Sequence, residues 1–414
     1  MESRNTTPQK KTEYHSAAGG DASRFMKIVV LGGFAESLVR FRGPLLAALV
    51  EAGHKVIACA PEFSPDIAER IQKLGATCRP IPLERAGLNL FKDLGFLLRL
   101  ARIFRKEQPD MLFCYTIKPV IYGSLAARWA GVSAIFSMIT GLGYTFSGHT
   151  LRRRLLTFVA ETLYRLALAG NQVVFFQNPD DRALFLQRKL VRDQNQTALV
   201  NGSGVDIDYY AETPVPSGLP VFVLIARMLR DKGVVEYVEA ARILKRKHPH
   251  ATFRLIGPVD INPASLRVEQ LEAWCGEGVI EYQGWVHDVR PLLAAASVFV
   301  LPSYREGTPR TVLEAMSMGR PIVTTNAPGC RETVSDGENG FLVSIKDVDA
   351  LAYAMERFIL CPELIERMGK RSRALAEQKF DVHGVNRVLL RAMGLAGEMA
   401  PQSRLAGNGG GGAR

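Results

Sequence analysis

Asn201-Gly-Ser-Gly-Val-Asp206-Ile-Asp208-Tyr-Tyr-Ala-Glu-Thr-Pro-Val-Pro-Ser-Gly-Leu-Pro220, running straight into Val221-Phe-Val-Leu-Ile225, is the stretch whose reading decides the fold. Its first part is rich in Gly, Pro and Asp, which interrupt periodic structure and read as a linker. Its last five residues form an uninterrupted apolar run, as expected of a strand buried on both faces of a parallel sheet. Toward the N-terminus, similar runs stand at Lys27-Ile-Val-Val-Leu31, Lys55-Val-Ile-Ala-Cys59, Asp110-Met-Leu-Phe-Cys114, Ala134-Ile-Phe-Ser137 and Gln172-Val-Val-Phe-Phe176. Helical segments separate them, one at 42–52 closed by Gly53 and another ending at Gly131. Toward the C-terminus the alternation resumes with Thr252-Phe-Arg-Leu-Ile256, Val279-Ile-Glu-Tyr282, Val298-Phe-Val-Leu301 and Pro321-Ile-Val-Thr324. Repeated β-α-β units imply doubly wound parallel sheets. The break at the linker implies two of them: an N-terminal α/β domain at 26–205, a linker at 206–219 and a C-terminal α/β domain at 220–381. Ligands in such sheets sit beyond the carboxyl ends of the strands, so the two domains are expected to face each other across a cleft. Residues 1–25 and 400–414 read as flexible tails, the second ending in Gly-Asn-Gly-Gly-Gly-Gly-Ala-Arg, and Met26 as the point where folded sequence begins.

Three motifs fall on strand ends. Ser303-Tyr-Arg-Glu306-Gly307-Thr308-Pro309-Arg310-Thr311-Val-Leu-Glu314-Ala-Met follows the strand ending at Leu301. Thr308 suits an N-cap and Pro309 the first helical position, which predicts a helix through Glu314 that stops near Gly319. The free N–H groups and positive dipole end of such a helix suit a phosphate. Glu306 in the loop and Glu314 in the helix suit vicinal diols, because carboxylates only accept hydrogen bonds. A capped helix with solvated glutamates reads equally well on local features. Ala226-Arg227-Met-Leu-Arg230-Asp-Lys232-Gly233 follows the strand ending at Ile225; Arg227 and Lys232 there either neutralise a leaving diphosphate or form a solvated basic turn. Gly32-Gly33 follows the first strand and permits close backbone approach to a phosphate, or is a plain turn. No G-x-G-x-x-G follows the first strand and no G-x-x-x-x-G-K-[ST] is present, which counts against a dinucleotide dehydrogenase and a P-loop NTPase. Asp206-Ile-Asp208 and Asp347-Val-Asp349 have D-x-D spacing, but turn and capping roles are expected for both. With Arg227 and Lys232 available, no metal is expected.

The chain has 414 residues, 47% hydrophobic and 22% charged, a globular balance that allows each half its own core. Its formal charge of +11 and pI near 9.4 favour anionic partners without choosing among them. No nucleic-acid recognition motif or basic-aromatic platform stands out, so no nucleic-acid partner is expected, although a basic nucleic-acid-binding protein is the reading left from another functional class. The six cysteines, Cys59, Cys78, Cys114, Cys275, Cys330 and Cys361, contain no CxxC pair and read as free thiols in a reducing compartment. No signal-peptide core and no run long enough to span a bilayer is visible, which places the expected location in the cytoplasm or against a membrane surface. Two segments, 90–105 with Arg99, Arg102 and Arg105 and 151–168 with Arg152, Arg153 and Arg154, are basic and amphipathic. They suit an anionic membrane surface, or packing on the sheet as ordinary helices.

The Glu306-x7-Glu314 pair, taken with Arg227, Lys232-Gly233 and Asn201-Gly-Ser-Gly-Val-Asp206, resembles the retaining family 4 glycosyltransferases, over roughly Met26 to Met399. The resemblance implies the GT-B fold: two Rossmann-like doubly wound domains facing across a cleft, with a last helix at 382–399 crossing back to the first domain. It implies catalytic roles for Glu306, Arg227 and Lys232, the first at the transferred sugar and the other two at the diphosphate. It implies donor contacts from Gly32, Gly33, Gly307, Thr308, Pro309, Arg310 and Thr311 near the phosphates and from Glu314 at the ribose. No cofactor is implied; the nucleotide sugar is a co-substrate. Phe41-Arg42-Gly-Pro44, Tyr115-Thr-Ile-Lys118-Pro119-Val-Ile-Tyr122-Gly123, Thr140-Gly141-Leu-Gly143 and Asn326-Ala-Pro-Gly329-Cys330-Arg331-Glu332 are similar to bacterial transferases that extend polyprenyl-diphosphate-linked oligosaccharides, among them N-acetylgalactosaminyl, capsule and O-antigen transferases. This narrower resemblance implies a UDP-hexose or UDP-N-acetylhexosamine donor and a lipid-linked saccharide acceptor. Acceptor contacts are expected from Arg42, Lys118 and Thr140, on a protein peripheral to the cytoplasmic face of the inner membrane. One departure stands out: Cys114-Tyr-Thr-Ile-Lys118-Pro119 carries no His where many family members have one against the donor sugar, and Lys118 is expected to take over part of that role. A UDP-sugar epimerase on the same architecture is the alternative enzyme reading.

Overall fold

The computed structural model describes residues 25–83, 90–142, 151–260, 262 and 264–395, except for the side chains of 90–91 and 151–155. Gly143, residues 1–24 and 400–414 of the expected tails, residues 396–399 of the expected last helix, and the side chains of Arg152, Arg153 and Arg154 lie outside the described residues.

Two parallel sheets organise the chain. Strands β1 (Lys27–Leu31), β2 (Lys55–Ala60), β3 (Thr77–Pro80), β4 (Met111–Tyr115), β5 (Ala134–Ile139), β6 (Val173–Phe176) and β7 (Thr197–Leu199) lie in the order β3-β2-β1-β4-β5-β6-β7. Strands β8 (Val221–Ile225), β9 (Thr252–Ile256), β10 (Glu281–Tyr282), β11 (Val298–Leu301), β12 (Ile322–Thr325) and β13 (Gly340–Val343) lie in the order β10-β9-β8-β11-β12-β13. The period-2 pleat of β1 explains its apolar run. Ile28 and Val30 pack with Leu45, Leu46 and Leu49 on one face, and Val29 and Leu31 pack with Leu100 and Phe104 on the other. Both sheets reverse their strand order in the middle, between β1 and β4 and between β8 and β11. A doubly wound sheet opens a crevice for ligands at such a point, because the flanking connections leave on opposite faces.

Three strands escape the sequence reading. Thr77–Pro80 is an edge strand with both ends exposed, Thr197–Leu199 is three residues long, and Gly340–Val343 is a short strand that begins with Gly. The helix expected at 42–52 runs Gly43–Glu51, with Arg42 as its N-cap residue.

Residues 206–219 are fastened to the second domain. Arg320, fully buried, donates to the carbonyls of Thr213 (2.9 Å), Pro214 (3.1 Å) and Leu293 (3.0 Å). Arg373 donates to the carbonyls of Ile207 (3.0 Å), Tyr210 (3.3 Å) and Ser317 (2.7 Å). An irregular segment against a core needs such donors for its carbonyls. The chain crosses between domains twice, and the crossings pair: Val205 N–H donates to Phe380 O (2.8 Å) and Val382 N–H to Val205 O (3.0 Å). The helix Val382–Ala392 then buries Val385, Leu389 and Leu390 among first-domain residues.

The helix Leu90–Glu107 packs Phe96, Leu97, Leu100, Ala101 and Phe104 against the first sheet. Its outer face carries Leu94, 50% exposed, and Leu98, with Arg99, Arg102 and Arg105 exposed beside them. The helix Leu151–Leu168 leaves Phe158, 65% exposed, and Leu166 uncovered, and Trp129 is half-exposed on the intervening helix Ser124–Ala130. No described helix is long and apolar enough to cross a membrane. All six cysteines are free thiols.

Candidate functional site

Four loops leave the two switch points: Gly32-Gly33 after β1, Thr116–Lys118 after β4, Arg227–Gly233 after β8 and Pro302–Pro309 after β11. The two loops of the second domain are bound to each other. Tyr304 N–H and Ser303 Oγ donate to Asp231 O at 2.9 and 3.1 Å. Gly233 adopts φ +72°, and a Cβ there would lie 2.7 Å from the carbonyl carbon of Pro302, so only glycine fits. This contact brings Lys232 to Glu306. Its ammonium donates to Glu306 Oε1 in an ion pair whose side chains are only 17% and 14% exposed. Arg227 lies further out, over half exposed, with Asp260 at 2.7 Å. Cys330 lies beneath the pair, where burial and then the Glu306 carboxylate push its thiol up to about 12, far from a nucleophile's range.

Arg310–Ser317 is the helix that the Glu306 loop enters. It begins one residue later than the capping pattern indicated. Pro309, with φ −72° and ψ 109°, is the N-cap, and Thr308 is no cap at all. The Thr308 hydroxyl donates instead to Gln177 O of the first domain at 3.1 Å, a partner invisible to local sequence. Arg310 and Thr311 occupy the first helical turn, where backbone N–H groups lack intrahelical acceptors. Glu314 is nearly buried; its Oε1 accepts from Tyr210 Oη at 3.0 Å and Arg310 Nε at 3.1 Å. Burial raises its pKa above the usual carboxylate value, against the opposing pull of Arg310 and Tyr210. The solvated-glutamate alternative therefore fails for both members of the pair.

The glycines of the first domain stand in a crowded turn. A Cβ on Gly32 would run into the Tyr115 ring, with Cζ at 2.8 Å, and a Cβ on Gly33 would lie 2.8 Å from Thr116 Oγ1. The space is filled by β4 and its loop, which fix the turn. Thr116 has φ +70°, a strained conformation for a β-branched residue, and its buried hydroxyl has no hydrogen-bond partner among the described residues. Strain of this kind concentrates at functional sites, and nothing in the sequence marks it. Lys118, expected as a solvated lysine or a ligand contact, is tied to Asp93 at 2.8 Å, with both side chains largely buried. Arg42 is not presented to the cleft. It is 2% exposed, donates to Met138 Sδ (2.7 Å) and stacks on Tyr115, and burial lowers its pKa to about 10. Thr140 sits at the end of β5, with its carbonyl against Gly307.

Asp206 and Asp347 take the turn and capping roles expected of them. Asp206 Oδ1 accepts from the N–H groups of Asp208 (3.1 Å) and Tyr209 (2.9 Å), and Asp347 Oδ1 from that of Ala350 (2.9 Å).

Two facing α/β domains, the second holding a carboxylate–ammonium pair where its own two switch-point loops meet, define the class: a two-domain enzyme of the GT-B glycosyltransferase fold. Residues 39–202 match the model of the glycosyl transferase 4-like domain, and residues 219–360 that of glycosyl transferases group 1. The chain is 30% identical over 340 residues to the N,N'-diacetylbacillosaminyl-diphospho-undecaprenol alpha-1,3-N-acetylgalactosaminyltransferase of Campylobacter jejuni, covering 79% of this chain and 88% of that one. It is 24% identical over 315 residues to the UDP-Gal:alpha-D-GlcNAc-diphosphoundecaprenol alpha-1,3-galactosyltransferase of Escherichia coli, covering 73% and 79%. Its fold matches that of HepE from Anabaena, solved with UDP-glucose, with a TM-score of 0.71 at 20% identity over 89% of this chain and 99% of that one. The chain belongs to this glycosyltransferase family.

Proposed function

We propose that this chain is a retaining, metal-independent transferase that moves a hexose or N-acetylhexosamine from a UDP-sugar to a polyprenyl-diphosphate-linked sugar. The observation that carries the proposal is the Lys232–Glu306 pair, held at the switch-point crevice by the Gly233–Pro302 contact. A leaving diphosphate gains charge as the glycosidic bond breaks, and a fixed ammonium stabilises that charge more in the transition state than in the ground state. Arg227 adds a second cation, and the backbone N–H groups of Gly307, Thr308, Arg310 and Thr311 face the phosphates. Pro309, which has no N–H, fixes the helix entry. Glu306 accepts hydroxyls of the transferred sugar and Glu314 the ribose diol, with Arg310 holding Glu314 in place. Gly32 and Gly33 form the opposite wall.

In the step itself the bond from the anomeric carbon to the diphosphate oxygen breaks, and its electrons leave with UDP. The acceptor hydroxyl oxygen bonds to the same face of that carbon and gives its proton to a donor phosphate oxygen. The protein supplies positioning and charge stabilisation. The Anabaena protein of the same fold holds UDP-glucose, and the Campylobacter and Escherichia relatives are named for undecaprenol-diphosphate acceptors, which supports the donor and acceptor classes. Lys118 and Thr140 line the acceptor side, and Arg42 backs it from the core. The exposed Leu94, Leu98, Trp129, Phe158 and Leu166, among exposed arginines, suit the surface of an anionic bilayer, so the reading puts the protein on the cytoplasmic face of the inner membrane.

The test is UDP release from a panel of UDP-sugars in EDTA, with and without polyprenyl-diphosphate-linked sugars. Acceptor-dependent release that is lost in Glu306→Gln and Lys232→Ala is expected. Release only on adding a divalent cation would overturn metal independence, and undiminished release by both variants would overturn the site.

A further inference from the structure

The loop that carries Glu306 belongs to the second domain, but much of its fixation comes from the first. Asn178, the N-cap of the first-domain helix Pro179–Gln187, donates through Nδ2 to Glu306 O (3.2 Å) and Gly307 O (3.0 Å). Thr308 reaches Gln177 O at 3.1 Å. A Cβ on Gly141 would lie 3.0 Å from Gly307 N, and one on Gly202 would lie 2.9 Å from Thr308 Cβ. Arg305, the residue before Glu306, forms an ion pair with Asp181 in the first turn of that first-domain helix. Asp181 is completely buried, and the Asn178 amide also donates to its carboxylate at 3.2 Å. A buried carboxylate needs its cation, because an unpaired charge out of water is costly. Here the cation comes from the opposite domain.

We propose that Asp181 is a positioning residue for transfer: through Arg305, and together with Asn178, it sets the Glu306 carboxylate against Lys232 from across the domain interface. The proposal rests on the role given to Glu306 above. Asp181 touches no reacting atom. Its effect is to hold the donor-reading loop at one height above the first domain, so that the cleft closes onto a loop already in place.

Purified full-length enzyme carrying Asp181→Asn tests the proposal, with UDP binding by calorimetry and steady-state UDP release. A displacement of the loop by about 1 Å predicts a loss of roughly 100-fold in kcat. KM for the UDP-sugar and Kd for UDP should stay within about threefold, because Arg227, Lys232 and the helix N-terminus lie wholly in the second domain. Arg305→Ala should reproduce the split, and Arg305→Lys, which keeps the charge, should recover at least about tenfold of the loss. These two variants decide the question if Asp181→Asn does not fold. Retention of kcat within threefold in either Asp181→Asn or Arg305→Ala overturns the proposal, as does a parallel rise in UDP Kd, which would indicate general damage. Glu306→Gln measured alongside separates the two levels. If it too keeps full activity, the reading of Glu306 has failed; if it is inactive while Asp181→Asn is not, only the positioning role has failed.

Discussion

Gly307→Ala asks for a single methyl group where the two domains touch. The added Cβ would meet the Thr140 carbonyl oxygen and Gln177 Oε1, with the Thr140 carbonyl carbon at 2.6 Å. Carbon atoms ordinarily approach to about 3.5 Å, so the Glu306 loop or the end of β5 must yield by about 1 Å. The obstacle is backbone, which cannot rotate away as a side chain would. Misplacement on this scale costs roughly 100-fold in rate, about 2.7 kcal/mol in the barrier. Steady-state UDP release should therefore show kcat falling by about two orders of magnitude in Gly307→Ala. Gly276→Ala serves as the control, since a Cβ there meets nothing within 4 Å at the end of the helix Val268–Gly276, and it should leave kcat unchanged. Wild-type kcat in Gly307→Ala would mean that the working enzyme does not hold these two loops in contact, and the account of a loop fixed across the interface would fall with it.

Arg320→Ala should destabilise the second domain by about 3 kcal/mol in urea unfolding, because it takes the buried guanidinium donor away from the carbonyls of Thr213, Pro214 and Ala294; a change below about 0.5 kcal/mol would contradict that role. Glu314 has a folded pKa above its unfolded value, so the native state binds the extra proton. Its contribution to stability is present below the unfolded pKa and declines as pH rises from there through the raised folded pKa. Glu314→Gln should flatten the thermal-stability profile from about pH 4 upward, and an unchanged slope would refute the burial argument. Phe158→Glu should weaken sedimentation with anionic liposomes while leaving UDP affinity intact, and equal binding by the variant would remove the Leu151–Leu168 face from membrane contact.

Much of this architecture is legible in the sequence because buried parallel strands need unbroken apolar runs. Val221–Ile225 and Thr252–Ile256 match their expected bounds for that reason, and Lys27–Leu31 could be placed before any coordinate was known. The edge strand Thr77–Pro80 buries neither face fully, so its composition carries no such signal. At the site, Glu306, Lys232 and Glu314 were visible as charged residues where apolar strands end or a helix begins. What stayed hidden depends on distant partners. Arg305 finds Asp181 across 124 residues, Lys118 finds Asp93 across 25, and Thr308 forgoes its cap for Gln177 across 131. Arg42 shows the same limit in reverse: the resemblance implied an acceptor contact there, but the packing of Met138, Phe113 and Tyr115 encloses it.

Same-face transfer at a site built from Lys232 and Glu306 fixes the anomeric configuration of the new linkage, which proton NMR reads on product made from a UDP-α-sugar and a polyprenyl-diphosphate-linked acceptor. An α linkage is expected. A β linkage would rule out same-face transfer, since inversion requires attack from the opposite face and a base that this arrangement does not assign.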